Sequence, residues 1–195
     1  MTAGGGMLGR MMGLNTGLPG CAFTLWGKQL AGMPPTEYSA EAISTMDDQH
    51  VNRYVNRGPY AMLEPGVCAD GTPYDELLFL DQLENEIQRN CLDLLTGTKT
   101  KIPYTNAGAM QFVAACEEAC ERAKERGFLE PGVWKGGDTM SLAYGDALPK
   151  GYLVQAERAE DRPQTEKALR VCPPIYICAN LGGAIQSVKI RVSVT

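Results

Sequence analysis

Apolar and polar positions along this chain follow two different periods. Leu77, Leu80, Leu83, Ile87, Cys91 and Leu94 recur every three or four residues, which is the spacing of one helix face. Thr72 and Pro73 supply a cap and a first-turn proline ahead of them, and Gly97 sits just past the end. A second long helix is predicted over residues 106–126, capped by Thr105 and stopped by Gly127. Its buried side would carry Phe112, Val113, Cys116, Cys120 and Ala123. Glu117, Glu118, Glu121, Arg122, Lys124, Glu125 and Arg126 would face outward. Shorter helices are expected over residues 7–14, and from a cap at Thr36 or Ser39 to about Gln49, with Ala42, Ile43 and Met46 on one face.

Elsewhere the period drops to two, the mark of a strand with one buried face. Residues 51–55 and 185–194 read this way, and strands are also expected over residues 151–155 and 175–179. The last run is the most regular: Val188, Ile190, Val192 and Val194 alternate with Lys189, Arg191, Ser193 and Thr195. Residues 66–73 are turn chemistry, with Asp70 and Gly71 suited to positive φ. Residues 131–149 form a loop rich in Gly, Asp and Trp, and residues 157–169 a charged turn or short helix.

Helices gathered mid-chain and strands gathered late favour an α+β fold, with a mixed or antiparallel sheet packed with two long helices and an extended C-terminal strand arm. The expected organisation is an irregular or short-helical segment over residues 1–35. An α+β core over 36–195 would follow, its arm being residues 184–195. The first 35 residues, poor in charge and rich in Gly, Met and Pro, do not read as a natural beginning for a domain.

Composition narrows the function classes. The 195 residues are 44% hydrophobic and 21% charged, ordinary values for a globular protein, and no apolar run approaches the roughly 20 residues of a membrane helix. A formal charge of −5 argues against a protein whose main task is to neutralise phosphates. Seven cysteines are an odd number in a chain too large to depend on disulfides, which points to a reducing compartment. No secretory signal is visible at the N-terminus.

Each candidate for chemistry has a plainer explanation. Gly4, Gly6 and Gly9 spell G-x-G-x-x-G, but no strand can precede them, so flexible or partner-packed backbone is expected instead of a nucleotide site. Cys116 and Cys120, four apart on a helix, lack the further ligands of a closed zinc site and read as packed core thiols. Cys172 and Cys178 flank Pro173 and Pro174 at a spacing unlike a metal finger. His50 is the one histidine, and it has no nucleophile motif beside it. Asp47 with Asp48, and Glu117 with Glu118, read as solvated helix faces, and Trp26 and Trp134 as core or interface aromatics. No catalytic, cofactor-binding or metal residue is assigned, and no cofactor is expected.

The C-terminal alternation is the informative feature. It can close the protein's own sheet, or it can be donated to a neighbour's sheet edge. Seven paired residues would make about six main-chain hydrogen bonds, each worth roughly 1 kcal/mol net.

Several ordered segments carry a resemblance. They are residues 101–108 (KIPYTNAG), 127–132 (GFLEPG) with Trp134, 148–152 (LPKGY), 173–175 (PPI) and 183–188 (GAIQSV); upstream, residues 28–33, 52–54 and 66–71 keep the same order. The chain thereby resembles the tail sheath-like proteins of contractile-tailed bacteriophages from about Gly6 to the end. It departs from that family's pattern at Gln186, where the family has histidine, and near Glu166 and Lys167. It is also shorter than typical relatives, as a minimal sheath or one piece of a split or truncated one would be.

The resemblance implies a structural virion protein that is no enzyme, a subunit that polymerises in the host cytoplasm as a helical stack of rings around a tail tube and contracts to drive genome ejection. Implied partners are further copies of the chain, the tail tube protein, and baseplate and tail terminator proteins, without direct nucleic acid binding or membrane insertion. It also implies that the arm, Val188, Lys189, Ile190, Arg191, Val192, Ser193 and Val194, lies at a subunit interface. The rivals are a ring-forming sheath adaptor or terminator and, from another class, a small cytosolic thiol enzyme.

Overall fold

A computed structural model describes residues 3–188 of the chain. In order, its elements are α1 (Ala3–Met12), α2 (Ala40–Asp48), β1 (Arg53–Arg57), β2 (Tyr60–Glu64), α3 (Tyr74–Gly97), α4 (Asn106–Glu125), β3 (Gly132–Val133), β4 (Ala147–Leu148), β5 (Tyr152–Ala156), α5 (Gln164–Leu169) and β6 (Ile175–Ala179). The class is α+β, with two long helices, as the periods imply. Its strands form three antiparallel pairs, β1–β2, β3–β4 and β5–β6. The described residues fall into two compact units, one of residues 3–78 with 183–188, the other Phe79–Gly182.

The first unit is built around the β1–β2 hairpin. Gly58, at φ 62°, and Pro59 make its two-residue turn, which sets the register Arg53↔Glu64, Val55↔Met62 and Arg57↔Tyr60. Tyr54 and Leu63 then join Leu25 and Leu30 in a buried core, against which Met7, Met11 and Met33 pack. Much of that apolar surface comes from the charge-poor first 35 residues. Gly4, Gly6 and Gly9 lie inside α1, the short helix expected in this segment, which begins at Ala3, four residues earlier than the expected Met7, and so takes in Gly4 and Gly6 as well. The reason is packing: a Cβ on Gly6 would come 3.2 Å from Met33 Cγ, so the bare glycine lets the helix approach.

Ser39, not Thr36, caps α2: its Oγ accepts from Ala42 N at 3.2 Å, while Thr36 N donates to Tyr54 O. Asn52 ties the hairpin's base to the next turn, accepting from Gly66 N and Val67 N and donating to Val67 O at 2.7 Å. In that turn Gly71 has the positive φ its sequence suggests, 87°, and Asp70 Oδ1 accepts from Thr72 N.

In the second unit, Thr105 caps α4 by accepting from Gly108 N, and Gly127, at φ 90°, turns the chain away. The buried face of α4 is Ala109, Val113, Cys116, Ala119, Cys120 and Ala123, and β5 packs on this helix. Phe112 is only half-buried, at the edge of that face. Arg126 corrects an expectation: it is 7% exposed instead of solvated, because its guanidinium donates to Glu86 Oε1 at 2.6 Å across to α3. Phe79 of α3 packs against Phe128 just beyond α4, the two rings tilted by 38°.

The β5–β6 pair runs Tyr152↔Ala179, Val154↔Ile177 and Ala156↔Ile175, and the β6 bounds are those of the predicted strand. Beside it, Leu142, Leu148 and Cys178 form a small core with Trp134 and Leu153. Beyond β6, Leu181 makes an isolated bridge to Leu129. Of the strand expected over 185–194, residues 185–188 are described and are not strand. Residues 189–195 lie outside the described residues.

Candidate functional site

The stripe of leucines that first suggested a helix does not disappear into the interior. Leu80 is 47% exposed, and Leu83 and Ile87 are half-buried. What α3 buries in this unit is an adjoining face with Phe79 and Glu86, both at least 94% covered. Helical spacing keeps Leu80, Leu83 and Ile87 in one row, and β6 and its continuation answer with Ile177, Ala179 and Leu181, two apart and hence on one side. Trp134 completes an open groove of about 610 Å³ between these rows.

The groove is apolar along its floor and polar at one side, where Glu84 and Gln88 stand. Trp134 is held in place by its indole Nε1–H, which donates to Gly137 O at 2.9 Å. That leaves the aromatic body to face the groove, the usual division of labour for a tryptophan at an interface. Of the side chains lining it, that of Glu84 is ionisable, that of Gln88 is polar and the rest are apolar. Each strand of the β5–β6 pair also has one edge outside the pair, where a further strand can add.

The other candidates are placed as follows. Cys116 and Cys120 are at most 2% exposed in the α4 core, where burial pushes their thiols up to about 12 and about 11. Such thiols are poor nucleophiles at neutral pH. Among the described residues, no group of three or more His, Cys, Asp or Glu is arranged to hold a metal ion. His50 is exposed at the end of α2, at φ 55°, with its ring over Gly71. Asp47 is engaged more closely than a solvated face implies: Arg53 Nη1 donates to it at 2.5 Å.

Of the arm residues, Val188 is described and is 76% exposed, and Ile185 just before it is 85% exposed. Lys189, Ile190, Arg191, Val192, Ser193 and Val194 lie outside the described residues. The groove was missed in the sequence. Its signal was present in the Leu80, Leu83 and Ile87 spacing, but spacing alone does not say whether a stripe is covered from within.

A protein-family model described as E217 tail sheath protein gp31-like, C-terminal domain, matches residues 74–194. No curated protein sequence matches the chain.

Proposed function

This chain belongs to the E217 tail sheath protein gp31-like C-terminal domain family, and from that membership we propose that it is a contractile tail sheath subunit. The family gives it a structural role in a phage tail; the proposal adds polymerisation around a tail tube and a cooperative rearrangement that drives the tube forward. The match over residues 74–194, more than half of the chain, carries the reading.

Two surface features support it. Ile185 and Val188 are 85% and 76% exposed on a segment that makes no strand pairing with the described residues. Val188, three residues after Ile185, opens the alternating run Val188, Ile190, Val192 and Val194. The groove offers an apolar floor of complementary kind, with a sheet edge beside it. We assign that face to a neighbour's arm, its valines and isoleucine against Leu80, Leu83 and Ile87, while the long side chains of Lys189 and Arg191, on the strand's other face, reach round its edge toward the acidic Asp81 and Glu84 of α3. Rigid subunits joined by such strands have the bistable packing that contraction requires.

Negative-stain microscopy of the purified protein, with and without residues 188–195, tests the proposal. Striated tubes from the full chain and soluble monomers from the truncated one are expected. Single rings would instead favour an adaptor or terminator, tubes that survive truncation would remove the arm, and lone particles from both would overturn the sheath reading.

A further inference from the structure

Three thiols approach one another between α3, α4 and the segment leading into β6. Cys91 Sγ lies 4.0 Å from Cys116 Sγ, and Cys172 is near enough to both for their charges to interact. All seven cysteines are free. The two helices are brought together at this level by Asn90, which donates to Ala115 O at 2.9 Å and accepts from Arg122 Nη2 at 2.6 Å. Residues 90 and 115 immediately precede the two thiols, so the Asn90 side chain already ties α3 to the α4 backbone one position away from each. A disulfide requires the sulfurs to close to about 2.05 Å, each moving roughly 1 Å, within the reach of a χ1 adjustment.

We propose that Cys91 and Cys116 form a disulfide when the protein meets a low-molecular-weight disulfide such as oxidised glutathione. Cys91 is the entry point because it is half-buried, whereas Cys116 is 2% exposed. Its thiolate attacks one sulfur of the oxidant, forming a mixed disulfide and releasing one thiolate of the reagent. Cys116, a poor nucleophile toward an external reagent but held beside the mixed disulfide, then loses its proton and attacks the Cys91 sulfur in the slower step, forming the protein disulfide and expelling the second reagent thiolate. The two protein protons end on the two reagent thiols, so one oxidant is reduced for each disulfide made. Cys116 Sγ already stands 4.0 Å from the Cys91 sulfur it attacks. This favours the intramolecular link over a persistent adduct. The inference is independent of the sheath proposal, and its readout requires no assembly.

The test is oxidation of the full-length protein with excess oxidised glutathione, alkylation of remaining thiols, and mapping of the linked peptides by tandem mass spectrometry without reduction. Trypsin leaves Cys116 and Cys120 on one peptide, 102–122, so the fragment ions must assign the link. The expected result is Cys91 joined to Cys116 with loss of two hydrogens, formed equally in Cys120→Ser and Cys172→Ser and absent in Cys91→Ser. Recovery of both thiols alkylated, of glutathione retained on Cys91, or of Cys91 joined to Cys172 as the main product would overturn the proposal. The wild-type map decides the matter even where a serine variant folds poorly.

Discussion

Glu64 shows how a single carboxylate organises the first unit. Its side chain is 9% exposed, and it accepts from Arg53 Nε at 3.0 Å and from Arg57 Nη2 at 2.7 Å. Burial pushes its carboxyl up, but the hydrogen bonds and charges of Arg57 and Arg53 outweigh that and hold it below its ordinary value. A folded pKa below the unfolded one means the unfolded chain binds the proton more readily. The stability due to Glu64 is therefore complete above about pH 4.5 and is lost as pH falls through the depressed value. Glu64→Gln leaves the 7% exposed Arg53 with Asp47 alone, and is expected to cost on the order of 3 kcal/mol in a urea titration at pH 7. Below pH 4 the gap between variant and wild type should narrow; a gap independent of pH would show that the pair is not what Glu64 contributes. Gly108 makes a steric counterpart. A Cβ there would collide with the carbonyl of Pro103, whereas one on Gly9 meets nothing within 4 Å. Gly108→Ala should destabilise by about 1–3 kcal/mol. Gly9→Ala should stabilise α1 by about 0.5–1 kcal/mol, both read as shifts in the urea midpoint.

At the scale of elements, α3 separates what a pattern tells from what it leaves open. The period of Leu80, Leu83 and Ile87 identifies a helix and its apolar side with no reference to the fold. The same period follows whether the side is covered by the chain's own core or by another molecule, and here the chain covers the adjoining face instead. If a neighbour covers the stripe, Leu80→Ser should change the subunit's own stability by less than about 1 kcal/mol, since Leu80 is already 47% exposed, yet abolish assembly. Sedimentation and urea unfolding of the same sample test both halves, and normal tubes from the variant would release the groove from that role. The capped elements were legible because Ser39 and Thr105 carry their signal locally, and β6 because its apolar run Ile175–Ala179 lies between Pro174 and Asn180. Arg126 was misplaced because helical position puts it with Lys124 and Glu125, and only the distant Glu86 explains its burial. Strand β2 went unseen because Tyr60, Ala61, Met62 and Leu63 do not alternate; the readable cue was the Gly58-Pro59 turn. The division at Leu78 and Phe79 falls inside an unbroken helix, where no change of composition marks it.

For the whole molecule, the distribution of charge adds a test that neither the groove nor the arm supplies alone. Lys189 and Arg191 are the charged side chains of residues 189–195, so the rest of the chain carries −7 where the whole carries −5. A strongly acidic body repels its copies, and a basic segment that reaches a neighbour reduces that repulsion at the point of contact. Asp81 and Glu84, one helical step apart on α3, put negative charge beside the apolar row the arm is proposed to cover. Exposed pairs of this kind contribute little each, so replacing Lys189 and Arg191 together by Glu should cost about 1 kcal/mol per contact, roughly a fivefold rise in the concentration needed for assembly. The effect should shrink in about 1 M salt, where the screening length falls from about 10 Å to about 3 Å. Adding Asp81→Lys and Glu84→Lys to that double variant should restore assembly if these are the facing groups. Light scattering against protein concentration reads all three comparisons. Unchanged assembly in the Glu variant, or no rescue by the lysines, would leave the apolar side of the arm as the sole link and send the search for its acidic partner elsewhere on the neighbour.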